Sequence, residues 1–90
     1  MKQLKEVIEV EKEGLIALLN KPILVFCINY IYFGKLVGVN ETCIKIEECY
    51  QVMETGPHDA KKFTDAQHIG KEWYVQLSAI ETFGETAKTK

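Results

Sequence analysis

The first twenty residues carry apolar side chains at helical spacing, with glutamates on the opposite side. Asn20 suits the left-handed position that follows a helix, and the Lys21-Pro22 step cannot continue one. The pattern predicts an amphipathic helix over residues 1–20. Because its polar face is acidic, we expect it to lie on a protein core and not on a membrane surface.

After Pro22 the chain becomes dense in β-branched and aromatic residues, which is typical of strands. Gly34 predicts a sharp bend or a close approach of two backbones inside the second strand. In the third strand Ile44, Ile46 and Glu48 are expected on one face, and Cys43, Lys45, Glu47 and Cys49 on the other. The predicted strands are 22–28, 31–39 and Thr42 to about Met53, with turns at Asn29-Tyr30 and Asn40-Glu41.

The remaining third of the chain alternates between polar and strand-like segments. Residues 54–71 are polar and predict a long excursion, with a short helical turn at Asp59–Gln67. Residues 72–83 predict one long bent strand or two short ones, and residues 84–90 predict a flexible tail. The fold class is therefore mainly β: one domain over residues 1–90, with an N-terminal α-helix followed at 22–83 by a five-stranded, strongly bent antiparallel barrel, of a size common to SH3-like, OB and related small barrels.

Composition adds a preference for self-association and weakens the case for nucleic acid. The chain has 90 residues, of which 47% are hydrophobic, so a small domain carries apolar surface beyond the needs of its own core. The formal net charge is -2, and the basic residues are all lysine. Without arginine, the chain lacks the planar fork that reads phosphate and guanine through two contacts.

The cysteines and the chain start bear on location. Cys27, Cys43 and Cys49 show no CxxC spacing, and the charged first residues lack the apolar region of a secretory leader. We expect free thiols in a reducing cytoplasm. The longest uncharged stretch, 22–34, is too short to span a membrane as a helix, so no membrane partner is predicted.

A family resemblance emerges between residues 20 and 56. The stretch FGKLVGVN at 33–40, followed by CIKIE at 43–47, resembles the first Sm motif, with Gly34, Leu36 and Asn40 in the motif's places. The chain around it looks like a divergent branch of small Sm-like (LSm/Hfq-like) proteins of bacterial and phage type. The resemblance implies an Sm-like barrel that assembles into a ring of about five to seven identical copies.

In such a ring the fourth strand of one subunit pairs with the fifth strand of the next, which satisfies the backbone groups of both edges. The resemblance places the interface on these two strands. The residues concerned are Tyr74, Val75, Gln76, Leu77, Ile80, Thr82 and Phe83.

The resemblance also implies an RNA site around the central pore, built from two turns. Asn40, Glu41 and Thr42 would form one turn, and Ser78 and Ala79 the other. Two departures from the motifs weaken this expectation: Ile44 stands where the family has asparagine, and Ser78-Ala79 replaces the basic-glycine step. Tyr30, Tyr32, Phe33, Trp73 and Tyr74 could stack bases, although aromatic residues in strands more often belong to a core or an interface.

Other functions have less support. His58, Asp59 and His68, with Cys49, lack the two close ligand pairs of a zinc site, so we predict no metal and no cofactor. Ser78 is the only serine and has no evident catalytic partner, so we predict no enzyme. The alternative to an RNA-binding ring is a structural or protein-interaction ring whose 54–71 excursion contacts a partner.

Overall fold

A computed structural model describes residues 14–57 and 59–89. The chain is mainly β, with all five strands in one antiparallel sheet that is not closed, in the order β4-β3-β2-β1-β5. Short 3-10 helices lie at Leu15–Leu18 and Leu77–Ala79. The strands are β1 (Pro22–Cys27), β2 (Ile31–Val39), β3 (Cys43–Glu54), β4 (Asp65–Gln76) and β5 (Ile80–Glu85).

The predicted N-terminal helix falls largely on residues 1–13, which lie outside the described residues. Its last predicted turn, Leu15–Leu18, is a 3-10 helix. Asn20 has a φ of 69°, which confirms the left-handed conformation predicted for it. The backbone amide of Asn20 donates to the carbonyl of Leu36 at 2.6 Å, and this bond holds the segment just before β1 against β2.

One face of the sheet carries the main core, and we call it the core face. The side chains of Ile23, Val25, Leu36, Ile44 and Ile46 are fully buried there. They come from three adjacent strands and face one another because paired residues in an antiparallel sheet point to the same side.

At Gly34 the backbones of β2 and β3 approach each other closely. A Cβ atom at this position would run into the side chain of Ile46 and would lie 3.0 Å from the carbonyl oxygens of Glu47 and Glu48. The pairing of β2 with β3 shifts register here, which is typical of a bulge that bends a strand. The predicted role of Gly34 in a close backbone approach is confirmed.

The predicted alternation of β3 is wrong after Glu47. Glu48 has a φ of 53°, so the backbone turns locally and Cys49 becomes fully buried while Glu48 is exposed. The extra residue of a β-bulge exchanges the two faces of the strand beyond it.

The predicted excursion 54–71 is too long, and the helical turn predicted at Asp59–Gln67 is wrong, because residues 59–64 contain no helix and residues 65–67 belong to a strand. β4 begins at Asp65 and pairs with β3 from Glu54 onward, so only residues 55–64 connect the strands. The first half of β4 is polar because an edge strand exposes much of its surface and needs no apolar alternation.

The opposite, outer face of the sheet holds a second, aromatic cluster. The ring of Phe63 is buried and meets Phe33 edge-on at 5.0 Å between centroids. Phe33 lies 6.2 Å from Tyr50, and Tyr50 lies 5.0 Å from His68. The connection 55–64 thus folds back over the sheet instead of extending into solvent.

The chain end secures this connection, in contrast to the flexible tail predicted for 84–90. Gly84 and Glu85 belong to β5, and residues 86–89 form what we call the C-terminal strap. The amide of Phe63 donates to the carbonyl of Thr89 at 2.7 Å, and the amide of Thr89 donates to Lys61 at 2.9 Å. The Lys88 ammonium donates to the carbonyls of Thr55 and Pro57 at 3.0 and 2.8 Å.

Candidate functional site

The two end strands of the sheet, β4 and β5, each pair on one side only within the described residues. β4 pairs with β3 and β5 pairs with β1. Such edges present rows of backbone donors and acceptors that another strand can satisfy.

Each edge strand also carries a large aromatic residue on the core face that the sheet leaves partly uncovered. Trp73 lies opposite the buried Ile46, and Phe83 lies opposite the buried Val25. Although both rings point toward the core, Trp73 is 37% exposed and Phe83 is 38% exposed. Each of the two edges of the sheet therefore combines unpaired backbone groups with an exposed aromatic side chain.

The turn between β2 and β3 is held by the side chain of Asn40. Its Oδ1 atom accepts hydrogen bonds from the amides of Thr42 at 2.8 Å and Cys43 at 2.9 Å, and from the Thr42 hydroxyl at 3.2 Å. Asparagine commonly forms such turns because its side-chain oxygen mimics a backbone carbonyl. The oxygen of Asn40 is thus occupied in shaping the turn.

The second 3-10 helix lies beside this turn. The amide of Leu77 donates to the carbonyl of Thr42 at 2.8 Å, so the two turns predicted to bind RNA are joined directly. Between them opens a groove of about 640 Å³, which we call the turn groove. Its lining residues are Glu41, Thr42, Cys43, Tyr74, Gln76, Leu77 and Ser78.

The structure brings together most, but not all, of the residues expected to contact RNA. Glu41, Thr42 and Ser78 line the turn groove, whereas Ala79 lines a different groove. Ile44 is fully buried in the core, so its side chain adds nothing to either groove.

The second groove is dominated by tyrosine. It has a volume of about 330 Å³ and lies between the β1–β2 turn and the end of β4. We call it the tyrosine groove. Its lining residues are Cys27, Ile28, Asn29, Tyr30, Tyr32, Tyr74, Val75, Gln76 and Ala79.

Tyr74 lines both grooves, and the charged side chain of Lys45 lies beside its ring. Tyr74 is 60% exposed, and the Lys45 ammonium lies 5.8 Å from its ring centroid. Lys45 also pairs with Glu72 at 3.5 Å, and the carboxylate of Glu72, followed by Tyr74, raises the pKa of Lys45. Lys45, beside the Tyr74 ring, therefore keeps its positive charge, and that charge is partly balanced by the carboxylate of Glu72.

The residues predicted for the subunit interface occupy three different environments. Tyr74 and Gln76 are exposed beside the grooves, and Thr82 is exposed opposite Phe26. Val75 is buried, while Leu77 and Ile80 pack against the core cluster. Among these predicted residues, Phe83 alone combines a core-facing position with a large exposed fraction.

His68 lies away from both grooves, on the first half of β4. Its Nε2 atom is 2.8 Å from Oε1 of Glu48, and both side chains are about half exposed. Among the described residues, no three or more His, Cys, Asp or Glu side chains come together as a metal site would require. His58 lies outside those residues.

Tyr30, Tyr32 and Tyr74 were among five aromatic residues that could stack bases, but the sequence did not indicate that these three share one groove. Tyr30 and Tyr32 follow the β1–β2 turn, and Tyr74 comes more than forty residues later. Only the course of the sheet brings them to one groove, and no spacing rule signals it.

The described chain contains no helix of the length and apolarity needed to cross a bilayer. No family model, curated protein or solved structure matches the chain.

Proposed function

We propose that the chain is an Sm-like subunit that assembles with copies of itself into a ring through its two edge strands. The sheet order β4-β3-β2-β1-β5 supports this, because the two ends of the sheet are the strands that the Sm resemblance pairs between subunits. The observation that carries the proposal is the exposure of Trp73 and Phe83, both core-facing and both at an open edge.

Pairing β4 of one copy with β5 of the next would satisfy the unpaired backbone groups of both strands. It would also extend the core face across the joint, so that Trp73 of one copy and Phe83 of the other become covered. Burial of aromatic surface is the dominant favourable term in most associations of this kind. The bent five-stranded sheet would then be one segment of a continuous ring of strands.

Native mass spectrometry and light scattering test the proposal directly. We expect the wild-type protein to have the mass of about five to seven copies. A Phe83→Lys variant should dissociate, because the lysine ammonium would be buried in the contact between β4 of one copy and β5 of the next. Met53→Lys is the matched control, because Met53 is an exposed apolar residue on the inner strand β3. A wild-type protein that is monomeric at micromolar concentration would overturn the proposal.

The single tryptophan gives a second measurement. If Trp73 is covered on assembly, its emission should shift to shorter wavelength as the protein is concentrated through its dissociation range. The Phe83→Lys variant should keep the emission of the dilute protein. An emission spectrum independent of concentration, together with an oligomeric mass, would show that the copies meet elsewhere.

Single-stranded RNA in the turn groove is a second candidate function, favoured by one observation. Tyr74 presents an exposed ring with the Lys45 ammonium beside it, and Thr42 and Ser78 supply hydroxyl groups nearby. Glu41 lines the same groove and opposes phosphate. We expect U-rich or A-rich oligonucleotides to bind weakly, with affinity that falls as salt rises. No retention on a filter at low salt would remove this candidate.

A ring that binds protein instead of RNA is the alternative. Affinity capture of the assembled protein, with and without nuclease treatment, separates the two. A partner that survives digestion supports protein interaction, and one that disappears with the nucleic acid supports RNA binding.

A further inference from the structure

The tyrosine groove differs from the turn groove in having no charged lining. Its nine lining residues are tyrosine, amide or small apolar residues, with one thiol. Burial, followed by the nearby carboxylate of Glu81, raises the pKa of that thiol, so Cys27 is neutral at physiological pH. A ligand suited to this groove is therefore uncharged where it touches the protein.

The groove offers flat aromatic walls with hydrogen-bonding groups at its rim. Tyr30 is 52% exposed, and its ring lies 6.2 Å from that of Tyr32 at an angle of 37°. Tyr74 is exposed in the same groove, and Asn29 and Gln76 contribute side-chain amides. A volume of about 330 Å³ is within the range of sites that bind small ligands or short peptide segments.

We infer that the tyrosine groove binds a proline-rich segment of another protein in the polyproline II conformation. Proline rings are uncharged and pack against aromatic faces, and this helix is already extended before it binds, so little conformational entropy is lost. Its backbone makes no internal hydrogen bonds, so its carbonyls are available to tyrosine hydroxyls and to the amides of Asn29 and Gln76. The inference does not depend on ring assembly, because residues of a single chain form the whole groove.

Nucleic acid fits the groove less well. Phosphate contacts supply most of the affinity of nucleic-acid binding, and no lysine lines the groove. The ammonium of Lys45, which lies 5.8 Å from the centroid of the Tyr74 ring, is paired with Glu72.

A second copy of the chain is equally unsuited as the proline-rich ligand. The sequence contains only two prolines, and they are far apart. Pro22 pairs with Lys35 in the sheet, and the carbonyl of Pro57 accepts a hydrogen bond from Lys88. These 90 residues therefore do not supply a proline-rich segment, and the inferred ligand is a segment of a different protein.

The test is a calorimetric titration of the full chain with a capped oligoproline peptide of about ten residues. A glycine-serine peptide of equal length serves as the ligand control. We expect saturable binding of oligoproline that changes little with salt. Tyr30→Ala and Tyr74→Ala should each weaken it about tenfold or more, equivalent to about 1.4 kcal/mol. Both tyrosines are more than half exposed, so neither change should impair folding. Met53→Ala, at an exposed apolar site on β3, should bind as the wild type does.

Three results would overturn the inference. The first is no saturable binding of oligoproline up to about 1 mM, the range of very weak complexes. The second is binding of a U-rich oligonucleotide that Tyr30→Ala abolishes, which would make nucleic acid the occupant. The third is a changed oligomeric mass in Tyr30→Ala, which would assign the groove to a second copy. The failure of ring assembly would leave the inference standing, since a monomer also contains the groove.

Discussion

Gly70 lies directly beneath the indole ring of Trp73, so close that a methyl group at position 70 would come within 2.7 Å of the ring carbon Cε3. The two residues belong to the same strand, and the glycine lets the ring lie over the backbone. Trp73 is thereby held on the core face at the open edge of the sheet.

Replacing Gly70 by alanine should displace the ring of Trp73 toward solvent. We expect Gly70→Ala to shift the tryptophan emission to longer wavelength. We also expect it to weaken the proposed assembly of subunits. Gly38→Ala is the matched control, because a Cβ there meets only Lys45 Cβ at an ordinary 3.5 Å. Identical emission spectra and oligomeric masses for Gly70→Ala and the wild type would show that Gly70 does not set the position of the Trp73 indole.

Gly34 should be the least replaceable glycine for stability. An alanine Cβ would overlap Ile46 and crowd two backbone carbonyls, which cannot move without disturbing the pairing of β2 with β3. We expect Gly34→Ala to lower the free energy of unfolding by about 2–3 kcal/mol, measured by urea denaturation. At Gly84 a Cβ meets nothing within 4 Å, so Gly84→Ala should change stability by less than about 0.5 kcal/mol. Equal effects of the two substitutions would contradict the close approach.

Lys88 should hold the connection 55–64 in place. Lys88→Met keeps much of the side-chain length but removes both hydrogen bonds to the carbonyls of Thr55 and Pro57. We expect a loss of about 1 kcal/mol and faster hydrogen exchange at the amide of Phe63, which the strap protects. Lys61→Met is the control, since the side chain of Lys61 is exposed. Unchanged exchange at Phe63 would mean that the strap is held by its backbone bonds alone.

Cys49 gives the stability a dependence on alkaline pH. Burial raises the pKa of its thiol from 9.0 to about 12 in the folded chain. The folded chain therefore keeps this proton in the range where the unfolded chain loses it. The resulting stabilisation is complete below about pH 9 and is lost as the pH rises from about 9 toward 12.

Urea denaturation at several alkaline pH values checks this. We expect the free energy of unfolding to fall with pH above about 9, and the fall to be shallower in Cys49→Ala. Burial also raises the pKa values of Cys27 and Tyr32, which contribute to the same decline, so the slopes are what is compared. Parallel slopes in the two proteins would show that Cys49 does not titrate on unfolding.

The sequence was sufficient for the three inner strands and their turns. β1, β2 and β3 are dense in apolar and β-branched residues because they form the middle of the sheet, and Gly34 stands out among them. The start of β4 could not be predicted, because an edge strand with polar residues resembles a loop in sequence. The only sign of the bulge in the sequence is Glu48 itself, an acidic residue at a position where the alternation of β3 predicts an apolar one.

The candidate sites depended more heavily on tertiary structure. The sequence predicted that Thr42 and Ser78 lie in two neighbouring turns, and the bond from Leu77 to Thr42 joins those turns. The tyrosine groove and the strap could not be predicted. The tyrosine groove joins Tyr30 and Tyr32 to Tyr74, which lies more than forty positions later, and the strap bonds to residues more than twenty positions earlier. Neither arrangement leaves a periodic pattern.

The two edges of the sheet belong to different strands, and this gives any assembly built on them a direction. Each copy offers one kind of edge and accepts the other, so copies add in a single sense until the last meets the first. In the proposed ring the angle between neighbours would decide whether that happens, and the bend of each sheet, to which the bulge beside Gly34 contributes, would set part of that angle. A slight change there would produce an open helical fibre in place of a closed ring. The glycine that lets two strands touch would then also determine where the polymer stops.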